Sequence, residues 1–118
     1  MKRRGLLALG WAWAAAIVWL SLVPSLPEVD FEESDKLGHL LSYGLLMLWF
    51  AVLLPDRKRR AVHAGLFIAM GVALEFAQAG LGYREFELLD MVANATGVML
   101  GWAGGATAAR FAPTILPR

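Results

Sequence analysis

Long apolar runs alternate with short charged blocks along the chain, and that alternation predicts its elements. The first run, residues 5–23, carries no charge. A hydrocarbon core of about 30 Å needs roughly 20 mostly apolar helical residues, so this run predicts a membrane-spanning helix. Pro24 and Pro27 end it, because proline has no N–H to donate and its ring clashes with the preceding turn. After an acidic connector, residues 28–36, a second helix is predicted over 37–54, closing at Pro55. The block Asp56-Arg57-Lys58-Arg59-Arg60 turns the chain into a third helix over 61–82. Residues 83–89 form a short polar connector, and a fourth helix is predicted over 88–112, before Pro113. The expected fold is an all-α bundle of four transmembrane helices, one domain over residues 1–118, without internal repeats. Lys2, Arg3 and Arg4 look like the start of a secretory signal, but the apolar stretch is too long and lacks an A-x-A-like site before Pro24. The first helix is therefore expected to be retained.

Composition agrees with that pattern. Hydrophobic residues make up 58% and charged residues 18%, with a mean hydropathy of +0.56. A soluble domain holds about 45–50% apolar and about 25% charged residues, and disorder needs low hydrophobicity. Both classes are excluded. The absence of cysteine removes disulfides, thiolate metal sites and cysteine nucleophiles.

The net charge of +1 hides a segregation. Nine of the eleven basic residues fall at the N-terminus, in the central block and in the C-terminal tail, leaving only Lys36 and Arg84 for the other two connectors. Eight of the ten acids, Glu28, Asp30, Glu32, Glu33, Asp35, Glu85, Glu87 and Asp90, lie in or beside those connectors. Short loops rich in Lys and Arg stay cytoplasmic, so both termini are expected to face the cytoplasm. The basic blocks then read as topology signals beside anionic headgroups, and a nucleic-acid partner is not expected. Trp11 or Trp13, with Trp49 and Trp102, suits the inner interface and Trp19 the outer one, as aromatic belts do.

Ionisable groups within spans cost roughly 2.5–3.5 kcal/mol at the helix centre, and those that persist usually face the bundle interior. Asp35, His39 and Tyr43 are spaced i, i+4, i+8 and share one face of the second helix. Glu75 and Gln78 are neighbours on the third, and Asp90, Asn94, Gly97 and Gly101 trace a stripe on the fourth. At 1.5 Å per residue, Glu75 lies about 10 Å inside the end of its helix, and Tyr43 about 10 Å below Lys36. Three segments thus carry Asp35, Lys36, His39, Tyr43, Glu75, Gln78, Arg84, Asp90 and Asn94 to one leaflet. A polar pocket opening to the extracytoplasmic face is the expectation.

In order along the chain, Ser21-Leu22-Val23-Pro24, Asp35-Lys36-Leu37-Gly38-His39-Leu40-Leu41-Ser42-Tyr43, Glu75-Phe76-Ala77-Gln78, Arg84, Asp90, Asn94 and Gly97 through Gly101 resemble the VanZ-like family. The resemblance covers roughly residues 20–104. It implies a small multi-pass protein of the bacterial plasma membrane, in a family named for a member linked to teicoplanin (glycopeptide) resistance. It supplies no reaction.

Each candidate has two readings. Asp35 can orient His39 as a general base, or the two can join Glu75 or Asp90 around a metal; alternatively Asp35 complements the helix dipole and His39 is structural. No metal site is expected on balance, and the sequence identifies no cofactor. Glu75 serves either as an acid/base or cation-binding group, or as one half of an interhelical ion pair with Gln78 as hydrogen-bonding glue. Arg84, with Lys36, suits an anion clamp, or bridges Glu85, Glu87 or Asp90. Asp90 and Asn94 combine site roles with capping of the fourth helix or hydrogen bonds to the third. Gly97, Gly101 and Gly105 form a G-xxx-G-xxx-G stripe that lets helices approach closely, with the partner helix, in this chain or a second copy, left open. His63 lies far from the cluster and reads as structural.

The function expected is binding, and modification where chemistry occurs, of a lipid or lipid-linked cell-envelope headgroup. Membrane lipids, a lipid-linked envelope precursor and a second copy of the chain are the partners this allows. The alternative is a non-catalytic assembly protein whose polar residues and glycine stripe specify packing.

Overall fold

The computed structural model describes residues 2–23, 32–54, 56–82 and 88–111, with side chains in the second segment described from Lys36 onward. These residues form four helices, α1 (Arg3–Leu22), α2 (Glu32–Leu53), α3 (Arg57–Gly80) and α4 (Leu88–Phe111), and no strand among them. α1, α2 from Lys36 and α3 are each long and apolar enough to cross a membrane. α4 departs from the expected four spans. Its 24 residues reach about 36 Å, but Asp90, Asn94, two threonines and many glycines and alanines leave it short of the others in apolarity.

Three helices start earlier than the hydropathy pattern predicts, α1 slightly, at Arg3, and α2 and α3 by more than one turn. α2 begins at Glu32, within the stretch read from the sequence as an acidic connector. α3 begins at Arg57 because Asp56 caps it, its carboxylate accepting from the Arg59 N–H at 3.4 Å. The basic block is thus the first turn of a helix and not a loop. At the other end of α3 the chain turns through Gly82 at φ +79°, a left-handed conformation that side chains disfavour.

Contacts between ends set the topology. The Gln78 side-chain amide donates to the Ser21 carbonyl at 3.0 Å, and Lys36 meets Asp90. The C-terminal ends of α1 and α3 therefore lie beside the N-terminal ends of α2 and α4. At the far end the Trp49 indole donates to the Leu6 carbonyl at 2.7 Å, and about halfway along α1 Trp13 donates to the Ser42 carbonyl at 3.3 Å. These two indoles serve as hydrogen-bonded ties between α1 and α2, a role beyond interfacial anchoring. Trp49→Phe should lower stability by about 1 kcal/mol, the net value of one such bond, measured by denaturant titration in detergent. Trp102→Phe, which breaks no described bond, supplies the comparison.

Packing is uneven. α2 and α4 run parallel and pack along most of their length, α3 contacts both, and α1 packs on α2 and α3 but not on α4. The α2–α4 seam is made of glycine. A side chain at Gly97 would collide with the Leu40 carbonyl, and one at Gly101 with the Gly44 carbonyl. A Cβ at Gly105 would come 2.8 Å from the Leu48 carbonyl. Backbone thus meets backbone over two turns, the close approach that small residues permit. Under α1 a second core forms from rings: Trp11, Phe50, His63 and Phe67 lie with centroids 5.0–6.1 Å apart. His63 stacks on Phe50, and its Nδ1–H donates to the Arg59 carbonyl at 2.8 Å, since a carbonyl can only accept. The outside is apolar, with Trp19, Leu20, Leu41, Leu45, Phe76 and Leu100 all exposed.

Candidate functional site

That apolar exterior encloses a polar interior at one end. Glu75 is 2% exposed, Gln78 8%, Asp90 0% and Asn94 3%. Tyr43 is buried with them. Side chains lean toward the N-terminus of their own helix, and this brings α2 and α3 together. Tyr43 leans back toward the Lys36 end, while Glu75, on the antiparallel helix, leans down to meet it. The two lie within electrostatic reach of each other.

Around them the other members stack by turns. Asp90 occupies the first turn of α4, with its Oδ1 3.8 Å from the Lys36 ammonium, a charge contact longer than a direct hydrogen bond. Asn94, one turn deeper, packs on Gly71 of α3. A Cβ at Gly71 would come 3.1 Å from the Asn94 amide nitrogen and 3.3 Å from the Tyr43 ring. Glycine at 71 is thus what lets α3 approach Asn94 and Tyr43 together. The Asn94 Oδ1 is buried, and none of the described residues donates a hydrogen bond to it. Lys36, 28% exposed, and His39, half-buried, carry the cluster to the surface.

The structure therefore brings Lys36, Tyr43, Glu75, Gln78, Asp90 and Asn94 to one end of the bundle, with His39 at the rim. Gln78 is turned away toward α1, its amide engaged by Ser21. Arg84 lies outside the described residues, as does the Asp35 side chain. Gly97, Gly101 and Gly105 lie along α2 of the same chain. Among the described residues no three His, Asp or Glu side chains converge as a metal ion would require. His63 is far from the cluster, in the ring core at the opposite end.

Sequence reasoning passed over Gly71, Gly44 and Gly10. Gly44 forms the α2 side of the seam, and a Cβ at Gly10 would come 2.7 Å from the Phe50 ring. A lone glycine in an apolar run is a signal for close approach, but Gly38, Gly65 and Gly80 carry the same signal with nothing within 4 Å.

Chemically, the cluster offers buried acceptors on α3 and α4, a phenol, and the Lys36 ammonium at the mouth. It can accept hydrogen bonds from a guest and hold a negative group near Lys36. No protein-family model matches the chain, and no solved structure matches it. Among curated proteins it is similar to an uncharacterized protein of the fission yeast Schizosaccharomyces pombe, 34% identical over 85 residues. The match covers 70% of this chain and 51% of the yeast protein, so the chain spans about half the length of that relative.

Proposed function

We propose that the chain is a VanZ-like integral membrane protein whose polar end binds the headgroup of a lipid or lipid-linked cell-envelope intermediate. One observation carries this reading. The Asn94 Oδ1 is a buried acceptor to which no described residue donates, one turn from Asp90 and packed on Gly71, itself one turn from Glu75. A buried polar atom without a partner costs roughly 1–3 kcal/mol, and a hydroxyl or amine of a bound headgroup would satisfy it. Lys36 and Arg84 hold the anionic part, and Glu75 with the Asp35–His39 pair carries proton transfer where the headgroup is modified. The positive-inside bias supports both termini in the cytoplasm and the polar end outside, and the VanZ-like resemblance supports the bacterial plasma membrane. Glycopeptide resistance is then the cellular phenotype to assay.

Native mass spectrometry of the gently purified protein tests the proposal. A defined amphiphile should co-purify with the wild type, and Glu75→Gln and Asn94→Ala should each retain at least tenfold less of it. Equal retention by folded wild type and variants would overturn it.

A second reading has its own support. Gln78 to Ser21 ties α3 to α1, and Lys36 to Asp90 ties α2 to α4, at this end, as a packing device would. On that reading the protein is a non-catalytic assembly module, and Glu75→Gln lowers stability without changing any bound species.

A further inference from the structure

The opposite end of the bundle carries a second, differently built feature. Between the start of α3 and the end of α4 lies a cavity of about 420 Å³, lined by Arg57, Arg60, Trp102, Ala106, Ala109 and Arg110, with Thr107 beside them. Arg57 and Arg60 are three residues apart and share one face of α3. Trp102, Ala106 and Arg110 follow each other at intervals of four along α4. The two alanines leave the room, and the indole and guanidinium groups bound it.

Its charge has no acidic counterpart among the described residues. Asp56 is the acid nearest to this end among the described residues, and it pairs with Arg59 at 3.4 Å, off the groove. Arg57 and Arg110 have no acidic partner among the described residues. Arg60 is held by its Nε–H, which donates to the Leu54 carbonyl at 3.0 Å, leaving its terminal nitrogens as donors. The Thr107 hydroxyl already donates to the Ala103 carbonyl at 2.8 Å, so the guanidinium groups supply the donors. Four consecutive basic residues also open α3, where the helix dipole favours anions over cations. That arrangement is unfavourable locally and becomes favourable when an anion sits among them.

We infer that this groove is a binding site for the phosphate of an anionic phospholipid. The guanidinium fork matches phosphate oxygens in pairs, and basic pockets between membrane helices suit such headgroups. The lipid source is favoured over free phosphate because Trp102 and two alanines give the groove apolar walls, and the same ends of α3 and α4 expose the apolar side chains Val62 and Phe111 to the surroundings in which acyl chains lie. The site is independent of the polar cluster at the other end and of the function proposed for it.

The test uses the full chain reconstituted in nanodiscs of phosphatidylcholine with phosphatidylglycerol, followed by native mass spectrometry of retained lipid. Wild type should retain the anionic lipid preferentially. Arg57→Gln with Arg110→Gln should lower that preference about thirtyfold, from a factor of about five for each basic residue near a membrane surface. Lys58→Gln with Arg59→Gln removes the same charge outside the groove and should leave most of the preference intact. Arg60 is spared in both because it holds the Leu54 carbonyl. Equal losses in the two double variants would mean diffuse surface charge and overturn the site. So would wild type showing no preference for the anionic lipid, including the case where inorganic phosphate alone binds in lipid-free detergent. Thermal unfolding of each variant confirms that a loss is not a failure to fold.

Discussion

Gly101→Ala is expected to destabilise the bundle by about 2–3 kcal/mol, at the upper end of the cost of overpacking a tight site. The added methyl would collide with the Gly44 carbonyl and lie 2.9 Å from the Leu48 nitrogen. Both are backbone atoms of a hydrogen-bonded helix and cannot swing aside as a side chain can. Relief requires α2 and α4 to separate along their whole seam. Gly104→Ala is the control, because its methyl meets only the Leu48 Cδ1 at 3.5 Å, an ordinary contact with a flexible tip. It should leave stability within about 0.5 kcal/mol, as substitutions away from special features do. Unfolding by SDS titration in mixed micelles reads both. Similar losses for the two alanines would show that helix-wide propensity, and not the seam, sets the response.

Lys36→Met is expected to cost about 2 kcal/mol. Removing one partner of a buried ion pair typically costs about 3–5 kcal/mol, and the partial exposure of Lys36 reduces that through solvent screening. The damage comes from the Asp90 carboxylate, fully buried and deprived of the ammonium 3.8 Å away. Lys36→Met combined with Asp90→Leu should therefore recover at least half of the loss, since an apolar replacement of both partners is often neutral. The same unfolding assay applies. If the double variant is as unstable as the sum of the two single ones, the pair is not energetically coupled. Its place at the mouth of the polar cluster would then need another account.

These two predictions draw on different depths of information. The Lys36–Asp90 pair joins residues whose polarity already marks them in the sequence, because charges beside or within an apolar span are costly and tend to face inward. Their pairing with each other comes from the helix packing, which sets the start of α2 beside the start of α4. Glu75, Asn94 and Tyr43 were legible in the same way: each is a polar group in an apolar run, and each is buried. The role of Gln78 was only half legible. Its burial follows from polarity, but its hydrogen bond to Ser21 depends on where α1 lies. Arg57 and Arg110 read as topology signals because charge counting ignores position. Their shared groove exists only after α3 and α4 are placed side by side.

By itself the sequence determined the number and order of the helices, their apolar character, the burial of the polar residues within spans, and the charge difference between the two ends. Each is local or additive: hydropathy, proline and charge act where they stand. Three of the four helices are long and apolar enough to cross a membrane by length and composition, and α4 is not among them. Only the tertiary structure decided that α2 and α4 run side by side in parallel, with Gly44 answering Gly97 and Gly101. It also decided that Gly71, and not Gly65 or Gly80, receives a neighbour. A glycine marks a possible close approach but carries no side chain that could specify a partner. The choice rests on the summed fit of whole helix faces, a property that no single stretch of the chain contains.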